Sequence, residues 1–428
     1  MGYRRQHAST GALVTLALLA FTLTACGSSS KTANSTATTS SGSATNGAGE
    51  GITPTTITIG EMADLSGPIP GLFQGAAYGI DAWAAYVNST GGINGRKIVV
   101  DHKDSALNCT TVTNDVKALA ASTFAMVGSA SAVDTCGSPV LKANPDFPDI
   151  PAFLVQTNYA SYPNVYSANP QPPGWLSTGY LWIKSKFGAA AVSKYAVLYS
   201  APEASAFQNQ SGAAKSVGYT VAYERAISPS DTIFTSDILR MKAEGIEVVD
   251  MTDTSVTQVV DFLQQAAQQN FHPDAVVTDS SYDSSFFKLL GNSSDANDLV
   301  MPLSFALYLG EDAATVPEIT TLTTWMNKTH PGASLNLFAL EAWSAGLLFQ
   351  QALEKAGPDP TQTGLLSALK GITSFNANGL IPESNPGQKI PPHCALIAEA
   401  DNGKFVRVDP STGFLCNGTY VYNTSAAS

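Results

Sequence analysis

The chain has 428 residues, 13% of them charged and 44% hydrophobic, and its 34 acidic against 22 basic side chains leave a net charge of −12. That sign excludes a nucleic-acid surface, whose phosphates require clustered Lys and Arg. The length suits two or three domains with a sizeable core, and beyond the N-terminal stretch no apolar run is long enough to cross a bilayer.

The first element in chain order reads as an address. Arg4 and Arg5 precede the apolar run GALVTLALLAFTL over 11–23, which is too short for a membrane span and has the form of a signal peptide, residues 1–25. Leu23-Thr24-Ala25-Cys26 resembles a bacterial lipobox, so lipidation of Cys26 is expected. Residues 26–50 then form the lipidated Cys and a tether in which only Lys31 and Glu50 are charged. Its Ser, Thr, Gly, Ala and Asn cannot build a core, and its r.m.s. reach is about 25–30 Å. The expected location is extracytoplasmic, anchored to the bacterial cell membrane through Cys26, with the globular body beside the membrane.

Four further cysteines, Cys109, Cys136, Cys394 and Cys416, form an even set in an exported chain and predict disulfides. Of the three possible pairings, those nearest in sequence are expected, Cys109 with Cys136 and Cys394 with Cys416. No C-x-x-C occurs and the histidines are scattered, so neither a metal nor another cofactor is expected.

From residue 55 short apolar runs alternate with amphipathic stretches. The pattern predicts a strand over 55–60 and a helix over 71–88, with Ala76, Ile80, Trp83, Ala84 and Val87 on one face. After the turn STGGINGR come a strand over 97–102, a helix over 113–121, a strand over 124–128, a helix over 137–143 and a strand over 151–155. A Pro-rich segment at 169–173 opens a second series. Its strands, at 195–200, 220–227, 248–253, 275–280 and 299–305, alternate with helices such as 256–269. Three helices follow, over 316–330, 337–356 and 363–372, and then a hairpin over 395–408 turning at Asp401-Asn402-Gly403. Two such series predict an α/β fold of two Rossmann-like lobes with parallel sheets and right-handed crossovers. The expected boundaries are 51–170 with 306–390 for lobe 1, and 171–305 with 391–428 for lobe 2. Open sheets of this kind bind ligands at the carboxyl ends of their strands.

The segment TITIGEMADLSGPIPGLFQGAAYGIDAWAAYVNSTGGINGRKIVV resembles the start of type I periplasmic substrate-binding proteins of the branched-chain amino acid (Leu/Ile/Val-binding) ABC transporter class, among them bacterial lipoproteins. Gly60, the loop Leu65-Ser66-Gly67-Pro68, Asn88 and the turn Gly91 to Lys97 carry the resemblance. In element order it extends over about 54–420, and at the level of motifs it fades after residue 160. It implies three crossovers, near Asn169, Phe305 and Pro391, and a Venus-flytrap closure on a small ligand. It also implies an extracytoplasmic solute-binding receptor, a membrane ABC permease as partner, a monomer and no enzymatic activity. The pair Cys109 and Cys136 fits the same family.

In the amino-acid-binding members the first lobe holds the ligand carboxylate, and an acid of the second lobe holds the ammonium. Carried over residue by residue, this assigns the loop Ser129, Ala130, Ser131 and the loop Gln156, Thr157 to the carboxylate, and Asp279 to the ammonium. Asp253 ends the preceding strand and serves either job. Ser66, Phe73, Gln74, Tyr199, Glu203 and Tyr282 fall on strand-end loops as candidate walls and polar contacts. The competing roles are helix caps, ordinary turns and core packing. The chain departs from the family near Ala204 and Ser255, where amino-acid-binding members carry Tyr. That opens the ligand to another amino acid, an amide, or a small carboxylate or aromatic compound. Nucleophile elbow, P-loop, dinucleotide and zinc-protease motifs are absent from the sequence. A second reading is a ligand-sensing lipoprotein that passes a signal to a partner protein.

Overall fold

A computed structural model describes residues 50–68, 71–154, 157–201, 204–228, 230–252 and 254–423. The expected signal segment, Cys26 and the tether up to Gly49 lie outside the described residues.

The first sheet has four parallel strands in the order β2-β1-β3-β4, namely β1 (Thr56–Ala63), β2 (Lys97–Asp104), β3 (Ala125–Val127) and β4 (Asp149–Ile150). Helix α1 (Gln74–Ser89) buries Ala76, Ile80, Trp83, Ala84 and Val87, the three- and four-residue spacing of a helical face. Helix α2 (Cys109–Ser122) is capped by the Asn108 side chain, which accepts from Thr110 N and Thr111 N. The short α3 (Ser138–Ala143) follows. Together α2 and α3 cover the opposite face of the sheet through Val112, Val116, Leu119 and Leu141.

Residues 151–154 of the apolar run at 151–155 are not a strand, and Val155 lies outside the described residues. The ladder ends at Ile150, although Ala152 N still donates to Ser129 O at 3.0 Å, and residues 151–154 continue as a loop. Its side chains are apolar for another reason: Ala152 and Leu154 are buried beneath the loop.

The second sheet has seven strands in the order β12-β11-β10-β9-β8-β6-β7. It is preceded by the short strand β5 (Gly174–Leu176) and helix α4 (Thr178–Val192). The parallel part is β6 (Tyr195–Ser200), β7 (Val221–Ile227), β8 (Val248–Asp250), β9 (Ala275–Val277) and β10 (Leu299–Leu303). Helices α5 (Ala204–Ser216), α6 (Thr235–Glu244), α7 (Val256–Gln268) and α8 (Phe286–Leu290) intervene. Strands β8 and β9 stop earlier than the apolar pattern predicts. Their polar ends leave the ladder for local bonds: Thr252 N donates to Asp250, and the Thr278, Ser280 and Ser281 hydroxyls bond one another.

After β10 the chain returns to the first sheet as α9 (Pro317–Thr329), α10 (Leu337–Ala356) and α11 (Gln362–Lys370). Asn336 caps α10 by accepting from Ala339 N, and Gly357, with φ 92°, lies just past its end. Helices α1 and α10 cross so closely that a Cβ on Gly79 would lie 2.3 Å from the Ala339 carbonyl oxygen. The chain then re-enters the second sheet as the antiparallel hairpin β11 (Leu396–Asp401) and β12 (Lys404–Asp409), turning at Asn402 and Gly403, both at positive φ. A last strand, β13 (Tyr420–Tyr422), pairs with β5, an association the sequence pattern does not announce.

The chain thus forms two lobes joined by three crossovers, which lie side by side. The Ser384 hydroxyl donates to Ala168 O at 2.7 Å, and Ala306 N donates to Leu380 O at 2.8 Å. The apolar core runs from Trp83 and Phe349 through Phe305 and Leu307 to Phe262 and Phe286. The four described cysteines lie in two pairs at disulfide distance, Cys109 with Cys136 (Cα–Cα 5.1 Å) and Cys394 with Cys416 (4.1 Å). On the first lobe a chain of polar groups ties edge strand β2 to the helices. His102 Nδ1 meets Glu61 at 2.7 Å and Nε2 meets Asp81 at 2.8 Å, and Asp81 reaches His330 at 3.0 Å.

Candidate ligand-binding cleft

Two buried or half-buried carboxylates hold the first-lobe loops. Asp64, directly after β1, is fully buried; it accepts from the Ser105 hydroxyl, from the Ser131 hydroxyl at 2.8 Å and from Ala132 N at 2.9 Å. It therefore joins the loops that follow β1, β2 and β3. Asp104, ending β2, accepts from Leu65 N, Ser66 N, Ala106 N and the Ser66 hydroxyl. Burial works against that charge, but the hydrogen bonds from Ser66, Ala106 and Leu65 hold its carboxyl below the usual range. Gly67, at φ 98°, lets the loop lie on the Ala106 carbonyl, where a Cβ would come within 2.4 Å.

These ties set the roles of the expected site residues. Ser131 is fully buried and spends its hydroxyl on Asp64; Ala130 is buried at the back of the loop. The Ser129 oxygen accepts from Met62 N at 3.0 Å, which leaves its own hydrogen for another acceptor. The Ser66 hydroxyl is used by Asp104, and Gln74 is exposed at the start of α1. The Phe73 ring stands edge-on to Phe338 of α10 at 4.5 Å, and Phe153, from the loop after β4, stands against the same ring at 6.1 Å. Thr157 opens a single helical turn, Thr157–Tyr159. Gln156, Glu203 and Asp253 lie outside the described residues.

On the second lobe, Tyr199 ends β6 half-buried, with its ring stacked on Phe207 at 4.2 Å. Asp279 is half-buried just beyond β9. Tyr282 is turned inward instead of forming a wall. It is 2% exposed among Phe305, Tyr308 and Phe405; its hydroxyl donates to Glu311 and accepts from Leu309 N. Ser255 caps α7 in a reciprocal pair with Gln258.

The two lobes meet beside the crossovers. The Tyr308 hydroxyl, after β10, donates to Tyr282 O and takes a backbone hydrogen bond from Leu337, the first residue of α10. One turn further along α10 lies Glu341, 5% exposed. Phe153, Phe338 and Glu341 are positions that sequence reasoning did not select. The signal for Glu341 was present: an acid within the apolar stretch LFALEAWSAGLLF, where a carboxylate is rarely buried without a partner. Among the described residues no group of three or more His, Cys, Asp or Glu side chains is placed to hold a metal ion.

The sequence that builds these two sheets matches, across residues 56–404, the family pattern of the periplasmic binding proteins. The chain belongs to that family. Among curated relatives, the Leu/Ile/Val-binding protein homolog 7 of Brucella suis biovar 1 (strain 1330) is 25% identical over 232 residues. That match covers 52% of this chain and 58% of the relative, so the likeness spans little more than half of either. A fatty acid ABC transporter substrate-binding protein from Thermomonospora curvata superposes with a TM-score of 0.70 at 17% identity, covering 86% of this chain and 95% of that one. A solute-binding protein of an R. palustris ABC transporter, in complex with benzoate, gives 0.67 at 17%, covering 87% and 99%. A branched-chain amino acid ABC transporter protein from Thermus thermophilus with bound valine gives 0.67 at 15%, covering 86% and 97%. At these identities the structural likeness establishes the two-lobed fold.

Proposed function

We propose that this periplasmic binding protein is an extracytoplasmic solute-binding receptor of an ABC importer. It captures one small ligand between its lobes and presents the closed form to a membrane permease. The observation that carries the reading is the makeup of the cleft. Ser129 offers a hydroxyl hydrogen from the first lobe, Phe73, Phe153 and Phe338 offer an apolar face, and Asp279 offers a carboxylate from the second. Such a site suits a small molecule with an apolar body and polar ends. Contacts available only when both lobes meet drive closure. The lipobox-like Leu23-Thr24-Ala25-Cys26 and the tether support a location at the outer face of the cell membrane, and Cys26→Ala is expected to move the protein to the soluble fraction.

The test is a thermal-shift screen of the full chain against amino acids, amides, aliphatic acids and aromatic acids, followed by calorimetry on the hits. A ligand at 100 times its Kd adds about 2.7 kcal/mol of stability. Loss of a charged hydrogen-bond partner in Asp279→Ala is expected to weaken an ammonium-bearing ligand by about 1–3 kcal/mol. No stabilisation by any compound class would count against the receptor reading.

A further inference from the structure

Residues 404–423, from β12 to β13, bond to the chain at each of the three crossovers in turn. At the second crossover Arg407 of β12 meets Asp312 in a two-pronged pair: Nε donates to Oδ1 at 3.0 Å and Nη2 donates to Oδ2. The two side chains are only 11% and 7% exposed, and Asp312 Oδ2 also accepts from Leu307 N at 2.8 Å. Arg407 Nη1 reaches on to Gly413 O at 2.7 Å, which holds the turn after β12. At the third crossover Leu415 exchanges both backbone hydrogen bonds with Ala395, at 3.0 and 2.7 Å, and Cys416 lies at disulfide distance from Cys394. At the first crossover Thr419 O accepts from Ser177 N and from the Ser177 hydroxyl, β13 pairs with β5, and Asn423 N donates to Pro173 O. The Thr178 hydroxyl donates to His393 O at 3.0 Å and so ties the first crossover directly to the third. Gly418 permits this approach, since a Cβ there would lie 2.2 Å from the Thr178 hydroxyl oxygen.

A segment that only closed the sheet edge would need no more than the pairing of β12 with β11. That role does not explain why an ion pair, a cysteine pair and a second small sheet follow one another along one stretch, each on a different crossover. Closure of two lobes turns backbone dihedrals at every connection between them. Three connections free of one another also let the lobes twist and slide. We propose that residues 404–423 are a splint that couples the three crossovers into one cooperative unit, so that the lobes open and close along a single path. The inference rests on the receptor reading for its purpose, because a selective cleft needs one closed geometry. The contacts suit the task. A bidentate Arg–carboxylate pair fixes orientation as well as distance, and a disulfide between Cys394 and Cys416 makes the hold on the third crossover covalent.

The experiment is hydrogen exchange on the full chain across a denaturant series, read in peptides covering 172–180, 304–313, 391–397 and 413–423, with β1 as the reference. The expected result is one opening free energy shared by the four peptides and lower than that of β1. Separate opening free energies, or opening only together with β1, overturn the splint, and that measurement needs no variant to fold. Two variants then cut the splint at one crossover each: Arg407→Met at the second, and Cys394→Ser with Cys416→Ser at the third. Each is expected to raise exchange about tenfold at all three crossovers while β1 keeps its protection, as loss of a charged hydrogen bond or a disulfide does within a coupled unit. A rise confined to the altered crossover, or spread evenly to β1, overturns the proposal, since local and global loosening do no more than that. No ligand enters the measurement, so a compound screen without a hit removes the receptor reading and leaves the exchange result to decide the splint.

Discussion

Asp64 shows how single residues shape the cleft without touching a ligand. Its two oxygens draw the turns after β1, β2 and β3 together, so the serine-rich loop at 129–131 is held from beneath. Asp64→Ala leaves the Ser105, Ser131 and Ala132 donors buried and unpaired. An expected loss of about 3 kcal/mol follows from the desolvation of such groups, read as a lowered denaturant midpoint. A variant as stable as the parent would show that these donors find other partners. At this scale the sequence separated candidates from bystanders poorly. Ser129 and Ser131 sit two apart on one loop, yet one keeps a donor free and the other is buried against Asp64. Tyr282 follows Asp279 by three residues, yet it joins the core because Phe305, Tyr308 and Phe405, all more than twenty residues further along the chain, surround it. Composition and spacing carry no record of which neighbour will arrive from far along the chain.

Helix α1 and helix α10 are the elements that fix the first lobe. Their faces were legible, since the spacing of Ile80, Trp83 and Val87 is helical and the span of α10 follows from its cap and its apolar run. The closeness of their crossing was not. A Cβ at Gly79 would meet the Ala339 carbonyl oxygen, and one at Gly346 would meet the Trp83 ring at 2.3 Å. Gly79→Ala, which an isolated helix would welcome, is therefore expected to destabilise the protein by about 1–3 kcal/mol as overpacking does. Its melting temperature, measured beside that of an Ala substitution at the exposed Gln74, checks this. A rise at Gly79 would mean the helices part easily. The apolar run at 151–155 teaches the same lesson in reverse. Its apolar residues marked it as buried, but the burial of Ala152 and Leu154 came from loop packing instead of a strand.

Across the whole molecule several buried acids share one direction of pH response. Burial, aided by the charge of Asp134, pushes Asp149 up to about 7 against the pull of Lys389, and Glu341 rises to about 8. Between pH about 4.5 and 8 the folded chain therefore holds protons that the unfolded chain releases, so stability falls as pH rises. His102 adds to the same trend. Burial opposes its charge, but hydrogen bonds to Asp81 and Glu61 and their charges push it up to about 10, so its contribution fades as pH climbs above 6.5. Lys389, brought down to about 8 by burial, acts the other way, but only above that pH. The hydrogen-bonded Asp104 lowers stability only in strong acid, as pH falls through its depressed range. The unliganded chain is thus expected to melt at a higher temperature at pH 5.5 than at pH 8. The opposite order in calorimetric scans would show that these groups are hydrated in the folded state.

What the sequence determined alone was the alternation of strand and helix, the helical faces, the Asn-Gly hairpin turn, the two-lobed class and the strand ends at which a ligand site should lie. All of these rest on local signals: residue spacing, caps and turn residues. What only the tertiary structure decided was which groups meet. Ser384 meets Ala168 and Leu380 meets Ala306 beside the crossovers, the Tyr308 hydroxyl reaches Tyr282 O, and β13 finds β5 from the far end of the chain. Convergence of that kind depends on how two sheets and three crossovers pack together, and packing is set by the sum of many weak, non-directional contacts that leave no local trace in the chain.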